Sequence, residues 1–413
     1  MAGALEVREV ALEDRSLLGP FLAALDRAMV FYASQNADVV RVKGVFGADV
    51  SALGPEHLEI FRSHGYFESN GMLVRGPVVP ECFERSELID VVFSLQHLEE
   101  GERLEDMDAV IGLLGGLRND SEALIRVERF EPIERMRKRG HLVRGHLAPD
   151  RSGFCRDEDA AVYRAARAGQ RTDEERLVLR VIKDQQPIGR NRLLTISPLG
   201  PEETLGAAKS LYLSSEVYLD ATNAYVGARR TRMSHQTAWD RVVRRMFESF
   251  GVMTAETLAL LLSGDLAMRD VRACLRRLEA EGFLVRGHLL RGSNIIHWAS
   301  KDAFSRLGHA HARAGVVLSP SDSLTTFMRA AYRDILPETG RYAVFSGSRM
   351  IGSFDGRLRK DGLSISDVVG EEGCRGVIAA HARRLGLAIS EDDEGSISEW
   401  EIMEFYRKSH PGA

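Results

Sequence analysis

The segment Gly251–Ser300 constrains the fold of this chain most, because it predicts four elements in a fixed order. Thr254 suits the N-cap of a short helix that ends at a Ser-Gly pair. A longer helix follows, stops at Gly282 and leads into two short strands around the turn Arg291-Gly292-Ser293. This order is typical of a winged helix, whose second helix usually enters the major groove of DNA.

The longer helix has an apolar face and a basic face. Residues spaced at i, i+3, i+4 and i+7 form the apolar face, namely Val271, Cys274, Leu275 and Leu278. Arginines with helical spacing lie roughly opposite, namely Arg269, Arg272 and Arg276. These arginines predict contact with a nucleic-acid groove. The alternatives are a solvated helix face, or a helix-turn-helix used for packing or dimerisation.

Length and composition indicate a soluble protein of several domains. A chain of 413 residues predicts two to four domains, and 44% hydrophobic with 28% charged residues is ordinary for globular proteins. No apolar run is long enough to span a bilayer and no signal peptide is evident, so we expect a cytoplasmic protein without membrane contact. The four cysteines form no C-x-x-C pair, which predicts reduced core thiols and no structural zinc site. We expect neither a metal nor a cofactor.

The charge is distributed unevenly along the chain. Residues 1–120 carry a net charge of −11, residues 121–300 carry +7 and residues 301–413 carry −1. A basic centre behind an acidic front is typical of a nucleic-acid-binding region with a solubilising or protein-facing flank.

Two parts of the basic centre share the pattern G-x-L-V-R-G-H-L, at Gly140–Leu147 and Gly282–Leu289. In both, a basic helix ends at a glycine and enters a strand that displays an arginine, Arg144 or Arg286. The repeat indicates two copies of one supersecondary unit. The alternative is a short strand sequence that many hairpins would share.

The densest basic cluster spans seventeen residues and comprises Arg229, Arg230, Arg232, Arg241, Arg244 and Arg245. Such a cluster is typical of segments that follow a phosphate backbone. It could equally be the exposed side of a helix whose Trp239 and Phe247 lie in the core, and the two interpretations are compatible.

The predicted fold class is α+β, with tandem winged-helix domains followed by a small C-terminal α+β domain. Residues 1–120 form an acidic α+β region, for which a degenerate winged helix is one interpretation. Residues 121–235 form a winged-helix-like unit and a linking region, 236–312 a second winged helix and 313–413 the C-terminal domain. Strand turns are predicted in the C-terminal domain at Ser346-Gly347-Ser348 and Asp355-Gly356, and a helix at 398–408. A further helix is predicted at 55–64, in the N-terminal region.

Several chemistries lack their motifs. The sequence contains no P-loop for ATP hydrolysis and no G-x-S-x-G nucleophile elbow. A single carboxylate can suffice for base excision, by activating water against a flipped nucleotide. Glu216, Asp220 and Asp240 lie near the basic cluster and are weak catalytic candidates, with structural salt bridges as the competing role.

With these residues considered, three segments in order resemble the C-terminal region of the large helicase-related (Lhr) family of superfamily 2 helicases. They are FCRDEDAAVYRAARAG at 154–169, the helix-turn-helix and hairpin at 250–298, and SPSDSLTTFMRAAYRDILPETGRYAVFSGSRMIGSFDGRL at 319–358. The resemblance implies winged helices that grip nucleic acid and a closing β-rich domain. The motor motifs of the family are absent, so translocation is not implied.

The same architecture is similar to that of tandem winged-helix DNA glycosylases. No Gln-x-Gln element matches the motif of those enzymes, and Gln185-Gln186 lacks the spacing. The leading prediction is therefore a nucleic-acid-binding protein without a motor, with DNA favoured, that acts in DNA repair or processing. The alternatives are a monofunctional DNA glycosylase and a protein-binding winged-helix scaffold.

The predicted contacts divide by element. We expect Arg269, Arg272 and Arg276 in the groove. The hairpins would contribute Arg144, Arg286 and Arg291, and phosphates would be held by Arg229, Arg230, Arg232, Arg244 and Arg245. The predicted partner is DNA, duplex or partly single-stranded, with a separate helicase or repair protein as a further partner.

Overall fold

The computed structural model describes residues 29–33, 39–44, 66–69, 72–75, 78–79, 81–98, 102–147, 151–293, 295–309, 315–332, 334–337, 340–359, 362–384 and 388–391. The helices predicted at 55–64 and 398–408 lie outside these residues. Helices and strands are mixed along the described chain, which confirms the α+β prediction at that level.

Residues 235–300 contain the elements that the sequence predicts. They are α9 (His235–Phe250), β11 (Val252–Thr254), α10 (Ala255–Leu261), α11 (Met268–Ala280), β12 (Leu284–Gly287) and β13 (His297–Ser300). The side chain of Thr254 accepts a hydrogen bond from the Thr257 amide, as predicted for an N-cap. β13 lies between β11 and β12 and is antiparallel to both.

Residues 107–155 repeat this order, preceded by α1 (Arg85–Leu95) and β5 (Leu104–Asp106). Their elements are α2 (Met107–Leu114), α3 (Asp120–Leu124), β6 (Val127–Arg129), α4 (Ile133–Lys138), β7 (Val143–Leu147) and β8 (Arg151–Cys155). After α2, Leu117 bridges Phe154 on β8, which is the pairing that β11 makes with β13. In sequence, the predicted boundary at residues 120/121 therefore lies between Leu117 and its partner Phe154.

The stretch between these two, 173–227, has the same order and follows α5 (Asp157–Ala166). Its elements are α6 (Asp173–Gln185), α7 (Arg190–Ile196), α8 (Pro201–Leu213), β9 (Val217–Leu219) and β10 (Tyr225–Gly227). Ile188, after α6, bridges Tyr225 on the second hairpin strand. The sequence from Pro187 to Leu199 suggests a loop and a short strand, but residues 190–196 form a helix that starts after Gly189 and buries Leu193 against α6 and α8.

The two copies of the G-x-L-V-R-G-H-L pattern occupy equivalent places. Gly140 and Gly282 both follow the third helix of their stretch and both have positive φ angles, 75° and 72°. Glycine takes this conformation at no steric cost, so it ends the helix and turns the chain into the hairpin.

The remaining strands form two further sheets. The N-terminal sheet has the order β1 (Met29–Ala33), β2 (Val39–Gly44), β4 (Met72–Arg75), β3 (Tyr66–Ser69). The C-terminal sheet runs β14 (Gly315–Leu318), β15 (Tyr342–Ser346), β16 (Arg349–Arg359), β17 (Gly362–Gly370), β18 (Ala388–Glu391). Its accompanying helices are α13 (Ser323–Ala331) and α14 (Cys374–Arg384), and α12 (Lys301–Arg306) precedes it.

The turn predicted at Ser346-Gly347-Ser348 is present, with Gly347 at φ 60°. The turn predicted at Asp355-Gly356 is wrong, because β16 continues through both residues. A Cβ at Gly356 would come within 2.9 Å of the Tyr342 ring and 2.7 Å of the Phe354 ring. This glycine therefore gives room to two stacked aromatic side chains inside a sheet.

One apolar core connects the 235–300 stretch to its neighbours. It includes buried residues of α1, α5, α9, α10, α11 and α13. Phe250 of α9 stacks on Phe327 of α13 with ring centroids 4.7 Å apart. The C-terminal elements therefore pack directly on the third of the repeated stretches.

Candidate nucleic-acid interface

α11 is fixed by the apolar face that its sequence predicts. Its four buried side chains are those of Val271, Cys274, Leu275 and Leu278. Burial of this apolar face fixes the orientation of the helix and directs its opposite face toward solvent. At its C-terminal half, Arg277 binds Asp240 of α9 through Nε and Nη2, with the Nη2–Oδ1 distance 2.6 Å.

The three arginines predicted to meet a groove all reach the surface of α11. Arg269 is 88% exposed and lies 3.3 Å from Asp270, its neighbour in sequence. Arg272 is partly exposed and its Nη2 lies 3.6 Å from Glu256 of α10. Arg276 is exposed. The structure therefore places the three guanidinium groups on one outward helix face, where contacts with surface carboxylates are weak.

The hairpin arginines differ in their surroundings. Arg144 on β7 is exposed, and its guanidinium lies 6.0 Å from the centre of the Phe154 ring. Arg291, in the β12–β13 turn, is exposed and its Nε lies 2.6 Å from Glu84. Arg286 is buried, with its Nε 2.9 Å from Glu279 of α11. A buried guanidinium paired with a carboxylate is poorly placed for DNA, so Arg286 fits a structural role better.

The basic cluster splits into exposed and structural members. Arg230, Arg232 and Arg241 are exposed, and Arg229 is 80% exposed although it pairs with Asp157. Arg244 is partly exposed, pairs with Glu281 at 2.5 Å and lies 4.2 Å from the centre of the Phe283 ring.

Arg245 is instead part of the interior. Its Nη1 donates to Asp159 over 2.8 Å, and Asp159 is almost fully buried. A Cβ at Gly115 would come within 2.6 Å of the Arg245 side chain, so the Leu-Gly-Gly turn at 114–116 provides the space. Although burial opposes it, the charge of Asp159 raises the pKa of Arg245. This arginine joins α9 to α5 and is not available to a phosphate.

The three carboxylate candidates for catalysis all have structural partners. Asp220 Oδ1 accepts hydrogen bonds from the Thr222 amide and hydroxyl and from the Ala224 amide, which closes the β9–β10 turn. Asp240 accepts from Arg277 and from the Cys274 thiol, whose Sγ is 2.9 Å away. Carboxylates that hold turns and helix contacts in this way have less freedom to activate water.

Glu216 is the most unusual of the three. It is buried, and its carboxylate binds Arg164 at 2.8 Å and also Arg171. Burial acts to raise the pKa of Glu216, but the hydrogen bonds and charges of both arginines outweigh burial and lower it. The carboxylate therefore stays ionised and orients two guanidinium groups.

A buried polar network was not apparent from the sequence. Arg126 donates to both oxygens of Asp322, at 2.9 and 2.8 Å, and its Nε donates to Gln96 over 3.0 Å. Glu122 accepts from the Ser323 amide over 2.8 Å. Local sequence offers no signal for a pair separated by 196 residues.

In the part of the chain that the structure describes, no helix has the length and apolar character needed to cross a membrane. Within the same residues, no group of three or more His, Cys, Asp or Glu side chains is arranged to hold a metal ion.

The fold is similar to that of the solved structure of Streptomyces sahachiroi DNA glycosylase AlkZ. The TM-score is 0.59 at 14% sequence identity, and the match covers 75% of this chain and 99% of the AlkZ chain. No protein-family model matches the chain, and neither does any curated protein. The relationship to the Lhr family therefore stays a prediction. At this identity, the finding is a fold shared with AlkZ.

Proposed function

We propose that this chain is a DNA-binding protein of DNA repair, built from three tandem winged helices and a C-terminal α+β domain. The stretches 107–155, 173–227 and 235–300 each have three helices and a hairpin. In each, the residues after the first helix pair with the second hairpin strand, at Leu117, Ile188 and β11. This is the arrangement of a winged helix, and it supports three units where the sequence predicted two.

The third unit is the best candidate to read DNA. Its third helix, α11, displays Arg269, Arg272 and Arg276 outward, whereas α8 of the second unit carries Glu202 and Glu203 in its first turn. A recognition helix needs exposed donors toward bases and phosphates, which α11 has and α8 largely lacks. The outward arginine face of α11 is the observation that carries the proposal.

The likeness to a DNA glycosylase supports repair as the setting and makes base excision the second candidate function. AlkZ is a DNA glycosylase, and the match spans nearly its whole length. The carboxylates of Glu216, Asp220 and Asp240 have structural partners, so none of them supports a role in base excision. Excision would need a catalytic group elsewhere in the chain.

The test is binding of the purified chain to lesion-free, uracil-containing and alkylated duplexes over a salt series, followed by alkali. Salt-sensitive binding to all three duplexes without strand breaks supports the DNA-binding proposal. Breaks confined to the lesion-containing strand would establish excision, because alkali cleaves at the abasic site left by a lost base. Failure to bind any duplex at low salt would contradict both and favour a protein-binding scaffold.

A further inference from the structure

Cationic groups surround the buried carboxylate of Glu216, which directly precedes β9. Arg164 Nε donates to Glu216 over 2.8 Å, and Arg164 Nη1 donates to the Arg229 carbonyl over 3.2 Å. Arg171 binds the other oxygen of the carboxylate. Glu216 and the backbone therefore hold both guanidinium groups in fixed positions on the side of the second unit.

Lys183 of α6 lies beside these arginines. A Cβ at Gly227 would come within 3.1 Å of Lys183 Cγ and 3.4 Å of Cε, so the lysine stem lies flat on the end of β10. Gln186 fixes the same strand end by accepting from the Gly227 amide over 2.8 Å. Partial burial is the main cause that lowers the pKa of Lys183, and the charges of Arg164 and Arg230 lower it further.

The charges in this cluster do not balance. Four cationic side chains, those of Arg164, Arg171, Lys183 and Arg230, stand against the carboxylate of Glu216. Among the described residues, neither Lys183 nor Arg230 makes an ion pair, and the buried Nε of Arg171 has no hydrogen-bond partner. Grouped cations with free donors are what a phosphate oxyanion requires, because its charge and its acceptors compensate their repulsion.

We propose that Lys183 and Arg230, backed by Arg164 and Arg171 on the Glu216 carboxylate, form a binding site for a phosphate group. Glu216 is a positioning residue of this site, which explains a buried carboxylate beside a basic surface. The DNA backbone is the source of this phosphate if the function proposed above is correct, so this part of the proposal rests on that function. A free phosphate or pyrophosphate would present the same chemistry.

The test compares Lys183→Gln with Lys209→Gln, which removes the other lysine of the same unit. Lys209 is exposed on α8 and is not among the groups that shift the pKa of Lys183. One arm measures affinity for a lesion-free duplex over a salt series. The other measures the melting temperature of each protein with and without inorganic pyrophosphate, using circular dichroism to confirm folding.

For a backbone phosphate, Lys183→Gln should weaken duplex binding about tenfold at low salt and reduce the salt slope by about 1, with little effect of Lys209→Gln. For a free phosphate, pyrophosphate should raise the melting temperature of the wild type and of Lys209→Gln, but not of Lys183→Gln. If neither readout depends on Lys183, the site is refuted. If the wild type binds no duplex, the proposed function fails, while the pyrophosphate arm still decides the site.

Discussion

Arg126 and Asp322 form a completely buried ion pair that is joined by two hydrogen bonds. The distances are 2.9 Å from Nη1 to Oδ2 and 2.8 Å from Nη2 to Oδ1, and both side chains are at most 1% exposed. Asp322 also accepts from the Leu324 amide at the start of α13. The pair therefore ties the stretch 107–155 to the C-terminal elements.

Asp322→Ala should lower the free energy of unfolding by about 3–5 kcal/mol, because it leaves the Arg126 guanidinium buried without its counter-charge. Urea denaturation measures the loss. The matched control is Asp334→Ala, which breaks an ion pair of similar length with Arg85 whose members are 45% and 69% exposed. That change should have a much smaller effect, because an exposed ion pair contributes little to stability. Equal losses in the two variants would show that burial does not set the strength of the first pair.

Two arginines of the basic cluster should behave in opposite ways when they are replaced. Arg245→Gln should destabilise the fold by about 3 kcal/mol, because it leaves the buried carboxylate of Asp159 unpaired. Arg241→Gln removes an exposed charge from the same helix and should change stability by less than about 0.5 kcal/mol. Thermal unfolding followed by circular dichroism compares them. A stable Arg245→Gln protein would contradict the interior role assigned to Arg245.

The pH dependence of stability should contain two opposing contributions. Burial, with the charge of Glu134 as a minor cause, raises the pKa of Asp120 from 3.8 to about 6, although the Ile133 amide opposes it. The Asp120 contribution is therefore complete below pH 3.8 and lost as pH rises through about 6. Burial lowers the pKa of His297 from 6.5 to about 4, so its contribution is complete above pH 6.5 and lost as pH falls through about 4.

Each shift corresponds to about 3 kcal/mol, so the two contributions largely cancel between pH 4 and pH 6.5. Asp120→Asn should reveal the His297 contribution, with the free energy of unfolding rising over this range. His297→Gln should reveal the opposite slope. Urea denaturation at a series of pH values measures both. Parallel pH profiles for the two variants would contradict the assignment.

Local patterns of the sequence predicted the third unit well. Helical spacing identified the buried face of α11, and Gly282 marked its end, because such signals depend on residues close in the chain. The second unit was missed at α7, a seven-residue helix that buries one leucine and so lacks a periodic apolar row. Its pairing through Ile188 is a single bridge, which no strand pattern announces.

The candidate site was predictable only in part. Spacing placed Arg269, Arg272 and Arg276 on one outward face, as the structure has them. Composition could not separate Arg245 and Arg286 from the exposed arginines, because burial depends on partners such as Asp159 and Glu279 from other elements. Lys183 carries no local signal either, since its surroundings come from residues up to 47 positions away.

We propose that the α11 arginines hold DNA, and the salt dependence of duplex binding tests this. One variant replaces three arginines of α11 by glutamine, namely Arg269, Arg272 and Arg276. The control variant makes the same change of charge in the C-terminal elements, at Arg349, Arg375 and Arg383. The α11 variant should bind more weakly at low salt, with a slope of log affinity against log salt flatter by up to about 3, because each lost phosphate contact removes about 1. The control should keep the slope of the wild type. An unchanged slope in the α11 variant, or an equal change in the control, would contradict the claim.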